Sequence, residues 1–539
     1  MSAEVAPAAA GTIISARRLV FVFLAALTAL RLALIGQTEL FPDEAYYFMW
    51  SERMDWSFFS KGPGVAAAIW LSTHLFGASE FGVRALSPLL GLGTSLIVWM
   101  LAARLYGLSV AGWTVLMVNV LPIFNAGAMV MTIDPLSIFF WAAALYTCWR
   151  ALEESPSFSW WWPASGALIG LGFLSKYTNA MQLLSIALLL GLTPKYRREF
   201  QRPGLYSLLA VFAICTIPVL VWNSQNGWIT LDHLVARGGL KQPWRFDGTE
   251  LLKFLGAHFG VYSPFLFAGM LVALWWGAQK AAHSFRTRFL LAFTAPLFTL
   301  YFWLSLKQAG EANWTAPATI SLGILAVALW HERAQTARWV RLFAVIALAT
   351  GGAVSLIALN PDLFRTVGIP LPYVADPTRR MRGWRSAAEE LERVRAQFEK
   401  QLGEPVFLIA NEHEVAASLA FYLRDKRSEG PGHPPVYIPA QPYFEDQFSF
   451  WPRYDQLVEL PSGHQLADTI FTEEQGVNPF RGRTALYISD RAEGKAPSSI
   501  KGAFERWEMI ACIDQKRRGL PLRQWRVFAC YNYLDPGVR

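Results

Sequence analysis

Two carboxylates stand side by side in Phe41-Pro42-Asp43-Glu44-Ala45-Tyr46-Tyr47, and a lysine follows in the turn Ser60-Lys61-Gly62-Pro63-Gly64. A carboxylate within hydrogen-bond reach of a hydroxyl can take its proton. A cation presented by a glycine/proline turn can hold an anion such as a phosphate. Asp43 and Lys61 therefore suit a base and an anion holder, with Glu44 as at most an assisting carboxylate. Structural readings stand beside these. Asp is a preferred helix cap and Glu is favourable in a first helical turn, while Lys61 also fits an interfacial lysine that keeps its amine in water.

Three more segments carry polar groups at the ends of apolar runs. Asp134, in Thr132-Ile133-Asp134-Pro135, either caps the helix that Pro135 opens or is a second functional acid. Lys176 and Tyr177, in Ser175-Lys176-Tyr177-Thr178-Asn179, join two short apolar runs, where a lysine is costly unless it meets an anion or water. A phosphate would satisfy it. Lys307, Glu311, Asn313 and Trp314, in "KQAGEANW", combine a cation, hydrogen-bonding groups and an aromatic plane suited to a sugar face. Interfacial anchoring is the alternative for both segments. Arg237, Lys241 and Arg245 either guide an anionic lipid or belong to a plain surface loop. His233 and His258 have no partner at metal-ligand spacing and read as structural.

These groups need elements to hold them, and the composition says which. The 539 residues are 53% hydrophobic, 14% aromatic and 16% charged, with a mean hydropathy of +0.28. That excludes a disordered chain and an ordinary soluble one. The net charge of +8 does not point to nucleic acid, because the cations fall mostly in short gaps between apolar runs, as orienting charges do. About eleven spans are expected, at 18–36, 83–103, 110–131, 133–149, 160–175, 178–193, 204–222, 254–278, 289–306, 313–331 and 339–359. The first is read as a retained span rather than a cleaved signal, since no small-x-small site follows it. Arg17, Arg18, Arg104, Arg150, Arg197, Arg198, Arg286, Arg288, Arg333 and Arg338 then share one side, the cytoplasm by the positive-inside rule. The other side receives every segment named above.

The expected division is a membrane domain, 1–360, whose first external loop, 37–82, holds two surface-lying amphipathic helices, and an external domain, 361–539. Tyr46 and Tyr47 are read as anchors at headgroup depth. In the external domain, 405–411, 434–439, 484–490, "RWEMIACI" and "QWRVFACY" read as strands, and 384–401 and 412–425 as helices, which makes a small α/β domain. Cys512 and Cys530 are either a hairpin-bridging disulfide or two separately buried thiols.

The stretch "FPDEAYYFMWSERMDWSFFSKGPG", followed in order by "MVMTIDPLSIFFWAAALY", "GLGFLSKYTNAMQLL", "KQAGEANWTAPA" and "NEHEVAASLAFYL", resembles the bacterial membrane glycosyltransferases related to protein O-mannosyltransferases and the lipid A aminoarabinose transferase. The likeness spans nearly the whole chain. It implies a GT-C fold: an α-helical polytopic membrane protein with a small C-terminal α/β domain in the periplasm and its N-terminus in the cytoplasm. It implies an inverting hexosyl- or pentosyltransferase that uses a polyprenyl-phosphate sugar, with a lipid, glycan or protein as acceptor. Asp43 matches the catalytic base, Asp134 a second acid, and Lys61 a donor-phosphate lysine. The family's acidic-Lys-Pro-Pro segment is altered here: Ser60 replaces the acid and Gly62 precedes Pro63. That removes one potential ligand, so no metal site is assigned, although a divalent metal is compatible with the chemistry and no other cofactor is called for. A transporter or flippase of lipid-linked sugars is the alternative class, and it lacks support from any visible internal repeat.

Overall fold

A computed structural model describes residues 7–154, 158–241, 243–359, 362–366, 368–369, 372–373, 376–430, 432–441, 443–455, 478–491 and 498–535. The chain divides into two compact units, Met1–Gln37 with Met54–Leu363, and Thr38–Arg53 with Phe364–Arg539. Residues 38–53, the start of the expected first loop, thus cluster with the C-terminal residues. The stretch 360–377, where the two expected domains meet, lies partly outside the described residues.

The first unit is helical because its apolar runs satisfy their own backbone groups only as helices when lipid surrounds them. Among the described residues, five helices are long and apolar enough to cross a membrane: Glu80–Tyr106, Pro203–Gln225, Phe285–Ser305, Ala312–Ala334 and Arg338–Ala358. A sixth span results if the pair Gly248–Val261 and Pro264–Lys280, bent by 113°, is counted as one. This count falls short of the eleven expected, and proline explains two of the differences. Ser263 precedes Pro264 with φ 66° and ψ 134°, which breaks the run at 254–278. Leu121 precedes Pro122 at ψ 122° and splits 110–131 into Leu108–Val120 and Pro122–Gly127. Proline disfavours helical geometry in the residue before it but is well suited to start a helix. Ala312–Ala334 is the enclosed member, with 83% of its apolar window buried, whereas Arg338–Ala358 has 22% buried and shows its side chains outward.

The second unit has a four-stranded sheet: β1 (Phe407–Ala410), β2 (Ala485–Ser489), β3 (Phe504–Arg517) and β4 (Leu520–Tyr533), in the order β1-β2-β4-β3. β1 and β2 are parallel, and the other pairs antiparallel. The expected strand 434–439 contributes a single bridge, Ile409 to Tyr437. β3 and β4 join through Arg518 and Gly519, both at positive φ (49° and 77°), as a tight hairpin turn requires. Phe407, Tyr437, Tyr454, Phe480, Phe528 and Tyr533 form the aromatic core beneath the sheet. The cysteines do not bridge this hairpin. Cys512 stands opposite Arg526 and Cys530 opposite Trp507, and both are free thiols, the first exposed and the second buried.

Helix Pro42–Ser51 belongs to this unit and packs on helix His413–Leu423. It does not have the exposed apolar face of a surface-lying helix: Tyr46, Tyr47, Met49 and Trp50 are all buried. Tyr46 and Tyr47 are therefore core residues here rather than headgroup anchors. The other helix of the first loop, Gly64–Phe76, fits the surface reading better, since Trp70, Leu71, Leu75 and Phe76 are exposed.

Candidate active site

Helix Ile133–Glu154 opens with the Asp134 N–H donating to the Thr132 hydroxyl at 3.3 Å, so Thr132 supplies the capping oxygen and the Asp134 carboxylate serves elsewhere. Asp134 Oδ1 accepts from Lys176 Nζ at 2.7 Å, and Oδ2 accepts from Asn313 Nδ2 at 2.7 Å. Lys176 also approaches the Asn313 carbonyl at 3.5 Å. The Lys176 and Asp134 side chains are 8% and 16% exposed, and a charge-assisted bond in such surroundings is much stronger than in water. The cost of placing Lys176 between apolar helices is thus met inside the chain by Asp134.

The ion pair is the first rung of a ladder. One turn on, Ser137 Oγ donates to Asn179 Oδ1 at 2.5 Å, and the Asn179 amide returns a bond to the Ser137 carbonyl at 3.0 Å. A further turn on, Gln182 Nε2 donates to the Trp141 carbonyl at 3.0 Å. Residues 134, 137 and 141 share one helix face, and 176, 179 and 182 meet them in step. Gly172 makes room for this: a Cβ there would lie 2.2 Å from Asn179 Nδ2.

Lys61 is carried by a turn packed against the same region. Its carbonyl accepts from the Ser57 hydroxyl at 3.2 Å and the Phe58 N–H at 3.0 Å, and Ser57 Oγ lies 3.4 Å from the Tyr177 hydroxyl. A Cβ on Gly62 would stand 2.3 Å from the Leu174 carbonyl oxygen, and one on Gly64 would stand 2.5 Å from Ser175 Oγ. The turns bearing Lys61 and Lys176 are therefore in backbone contact, which only glycine permits. Ser57 was not among the residues singled out from the sequence; the Gly62 departure from the family pattern was the available signal.

Of the "KQAGEANW" segment, Asn313 joins the ion pair while its neighbours are held separately. Lys307 Nζ donates to the Gly239 carbonyl, and the Ala309 N–H donates to Glu250 Oε2 at 2.8 Å. The Trp314 ring lies 5.2 Å from Tyr301, with the Arg237 guanidinium over it at 5.7 Å. Glu311 is exposed. Lys241 pairs with Asp232 at 3.3 Å, and Arg245 is exposed. His258 is a satisfied core residue, with its ring nitrogens 2.7 Å from the Phe254 carbonyl and 2.9 Å from Thr315 Oγ1. Among the described residues, no three His, Cys, Asp or Glu side chains cluster as metal ligands.

Asp43 and Glu44 lie in the second unit, in the first turn of helix Pro42–Ser51. The N-cap is Phe41, and Glu44 Oε2 accepts its N–H at 2.9 Å. Capping thus falls to Glu44, which is fully buried, and Asp43 is partly exposed at the next helical position after Pro42. The helix is fixed through Tyr46: its hydroxyl accepts the Gln447 N–H at 2.6 Å, and its ring lies 4.8 Å from His413 and 6.1 Å from Phe448. His413 Nδ1 stands 3.4 Å from Asp446 Oδ2. Burial alone would lower the His413 pKa, but the carboxylates of Asp446, Glu414 and Glu412 outweigh it and raise the pKa above its usual 6.5.

Residues 60–222 match the family of dolichyl-phosphate-mannose-protein mannosyltransferases. The chain is 27% identical over 419 residues to the lipid A galacturonosyltransferase RgtD of Rhizobium johnstonii, covering 76% of this chain and 83% of the relative. Its fold is similar to that of ArnT from Cupriavidus metallidurans in the apo state, with a TM-score of 0.60, 19% identity, and coverage of 96% of this chain and 98% of that one. The same protein bound to undecaprenyl phosphate gives 0.61 and 18%, with coverage of 94% and 97%. By these likenesses the chain has the fold of ArnT and is similar in sequence to membrane sugar transferases.

Proposed function

We propose that this glycosyltransferase moves a sugar from a polyprenyl-phosphate donor to a hydroxyl of a lipid acceptor of the lipid A or core type, with glycans and proteins as the wider acceptor class. The observation that carries the reading is the buried Lys176–Asp134–Asn313 group, stapled to the neighbouring helix and packed against the Lys61 turn. It presents two lysine-bearing turns in one region, as an anionic donor headgroup requires.

In this reading Asp43 is the base that takes the acceptor proton, and direct displacement inverts the anomeric carbon. Glu44 shapes the first turn that carries Asp43. Lys61, Lys176 and Lys307 hold the donor phosphate, Asp134 and Asn313 orient Lys176, and Tyr177, Glu311 and Trp314 contact the sugar. The protein is a multi-pass protein of a bacterial inner membrane, with the N-terminus in the cytoplasm and the residues from 361 onward in the periplasm.

Purified full-length protein given radiolabelled polyprenyl-phosphate sugars and lipid A should transfer label to the lipid. Asp43→Asn should fold normally and lose transfer. Full transfer by that variant would remove Asp43 as the base; failure of every donor with every acceptor lipid would remove the reading itself.

A further inference from the structure

Arg31 is 4% exposed, near the end of helix Pro7–Leu34, and lines a cavity of about 30 Å³ between helices of the first unit. Its Nη1 donates to Asn119 Oδ1 at 3.1 Å and its Nη2 to Asn125 Oδ1 at 2.9 Å. Its buried Nε has no hydrogen-bond partner. Among the described residues lining the cavity, Arg31 alone is charged; the others include Thr94, Ser95, Asn119 and Pro135.

A guanidinium remains charged at any accessible pH. Amide oxygens offer it dipoles but no opposing charge, and a buried ion without one is held at high cost. In the apolar part of a membrane protein such groups pair with one another or mark a site. Lys176 in this chain follows that rule through Asp134, and Arg31 has no equivalent acid at the cavity. The space is there: a water needs about 10–15 Å³, so this cavity admits a monatomic ion. Pro135 brings the first turn of helix Ile133–Glu154 to the cavity wall, and the Asp134 carboxylate of that turn is already held by Lys176 and Asn313. Gly91 keeps the space open, since a Cβ there would lie 3.0 Å from Ala128 Cβ and 3.6 Å from Arg31 Nη1.

We propose that this cavity holds a resident monovalent halide ion that neutralises Arg31. One positive charge calls for one negative charge, which favours a halide over a phosphate dianion. The ion joins the first helix to the start of the helix that carries Asp134, and so helps to set the position of the Lys176 ion pair.

The test is thermal unfolding of the full-length protein in detergent, in chloride or bromide against gluconate at equal ionic strength. The expected result is a melting temperature higher by about 2–4 °C in halide, rising with the logarithm of halide concentration, and no such dependence in Arg31→Met. Equal melting temperatures in all salts, or the same dependence in Arg31→Met, would overturn the site. Should Arg31→Met fail to fold, crystals of the unaltered protein grown in bromide decide the matter. An anomalous peak beside Arg31 supports the ion, and ordered water alone there refutes it.

Discussion

At the scale of single residues, the Lys176–Asp134 pair should behave as a unit. Lys176→Met or Asp134→Asn leaves one buried charge without its partner, which costs about 3–5 kcal/mol. Denaturant unfolding should therefore show both single variants strongly destabilised, and the Lys176→Met/Asp134→Asn double variant closer to the parent in stability while still inactive. A double variant as unstable as the singles would show that the pair's stability does not come from charge compensation. His413 supplies a second prediction, with a sign set by its raised pKa. Its contact with Asp446 contributes fully below the usual histidine value of 6.5 and is lost as pH rises through the higher folded-state value. The melting temperature of the second unit should fall across that window, and His413→Gln should flatten the fall. The residue types at the site were legible in the sequence, because a lysine or acid at the end of an apolar run stands out. Their partners were not: Lys176 and Asp134 are 42 positions apart, and only the packing of two helices reveals that the lysine's anion is an aspartate of its own chain.

At the scale of elements, the Lys61 turn depends on backbone contact with the end of helix Trp161–Ser175. Gly62→Ala would place a methyl group 2.3 Å from the Leu174 carbonyl oxygen, an overpacking that costs about 1–3 kcal/mol. We expect a lower melting temperature and a raised KM for the polyprenyl-phosphate donor; an unchanged KM would separate Lys61 from donor binding. Helix Pro42–Ser51 shows where pattern reading stops. Its position was readable from Pro42 and the following acids, yet its aromatic residues suit a membrane surface and a protein core equally well. Burial against His413 and Phe448 settles the matter, and those partners lie more than 360 residues away in the chain. The broken runs at Pro122 and Pro264 carry the same lesson: hydropathy windows register apolar length, while a proline and the residue before it decide whether the helix continues.

At the scale of the molecule, the second unit is built from two separate stretches, Thr38–Arg53 and Phe364–Arg539. A fragment beginning at Phe364 lacks the helix whose Tyr46 ring lies 4.8 Å from His413 and whose Phe48 ring lies 4.9 Å from Phe421. It should expose apolar surface and melt early, and linking residues 38–53 to it should raise its melting temperature; equal melting of the two fragments would show that the helix adds nothing to that fold. The strands and helices from 384 onward were readable because their alternation and caps are local, whereas the contribution of 38–53 was not, since nothing local marks it as belonging to a distant stretch. The split also sets an order of events in biogenesis. Helix Pro42–Ser51 leaves the ribosome about 360 residues before helix His413–Leu423, which packs on it, a wait of roughly 20–70 s at ordinary rates of synthesis. Throughout that interval its aromatic face has no partner from the C-terminal stretch, so the newly made chain depends on the membrane-insertion machinery or a chaperone to shelter the helix that carries Asp43.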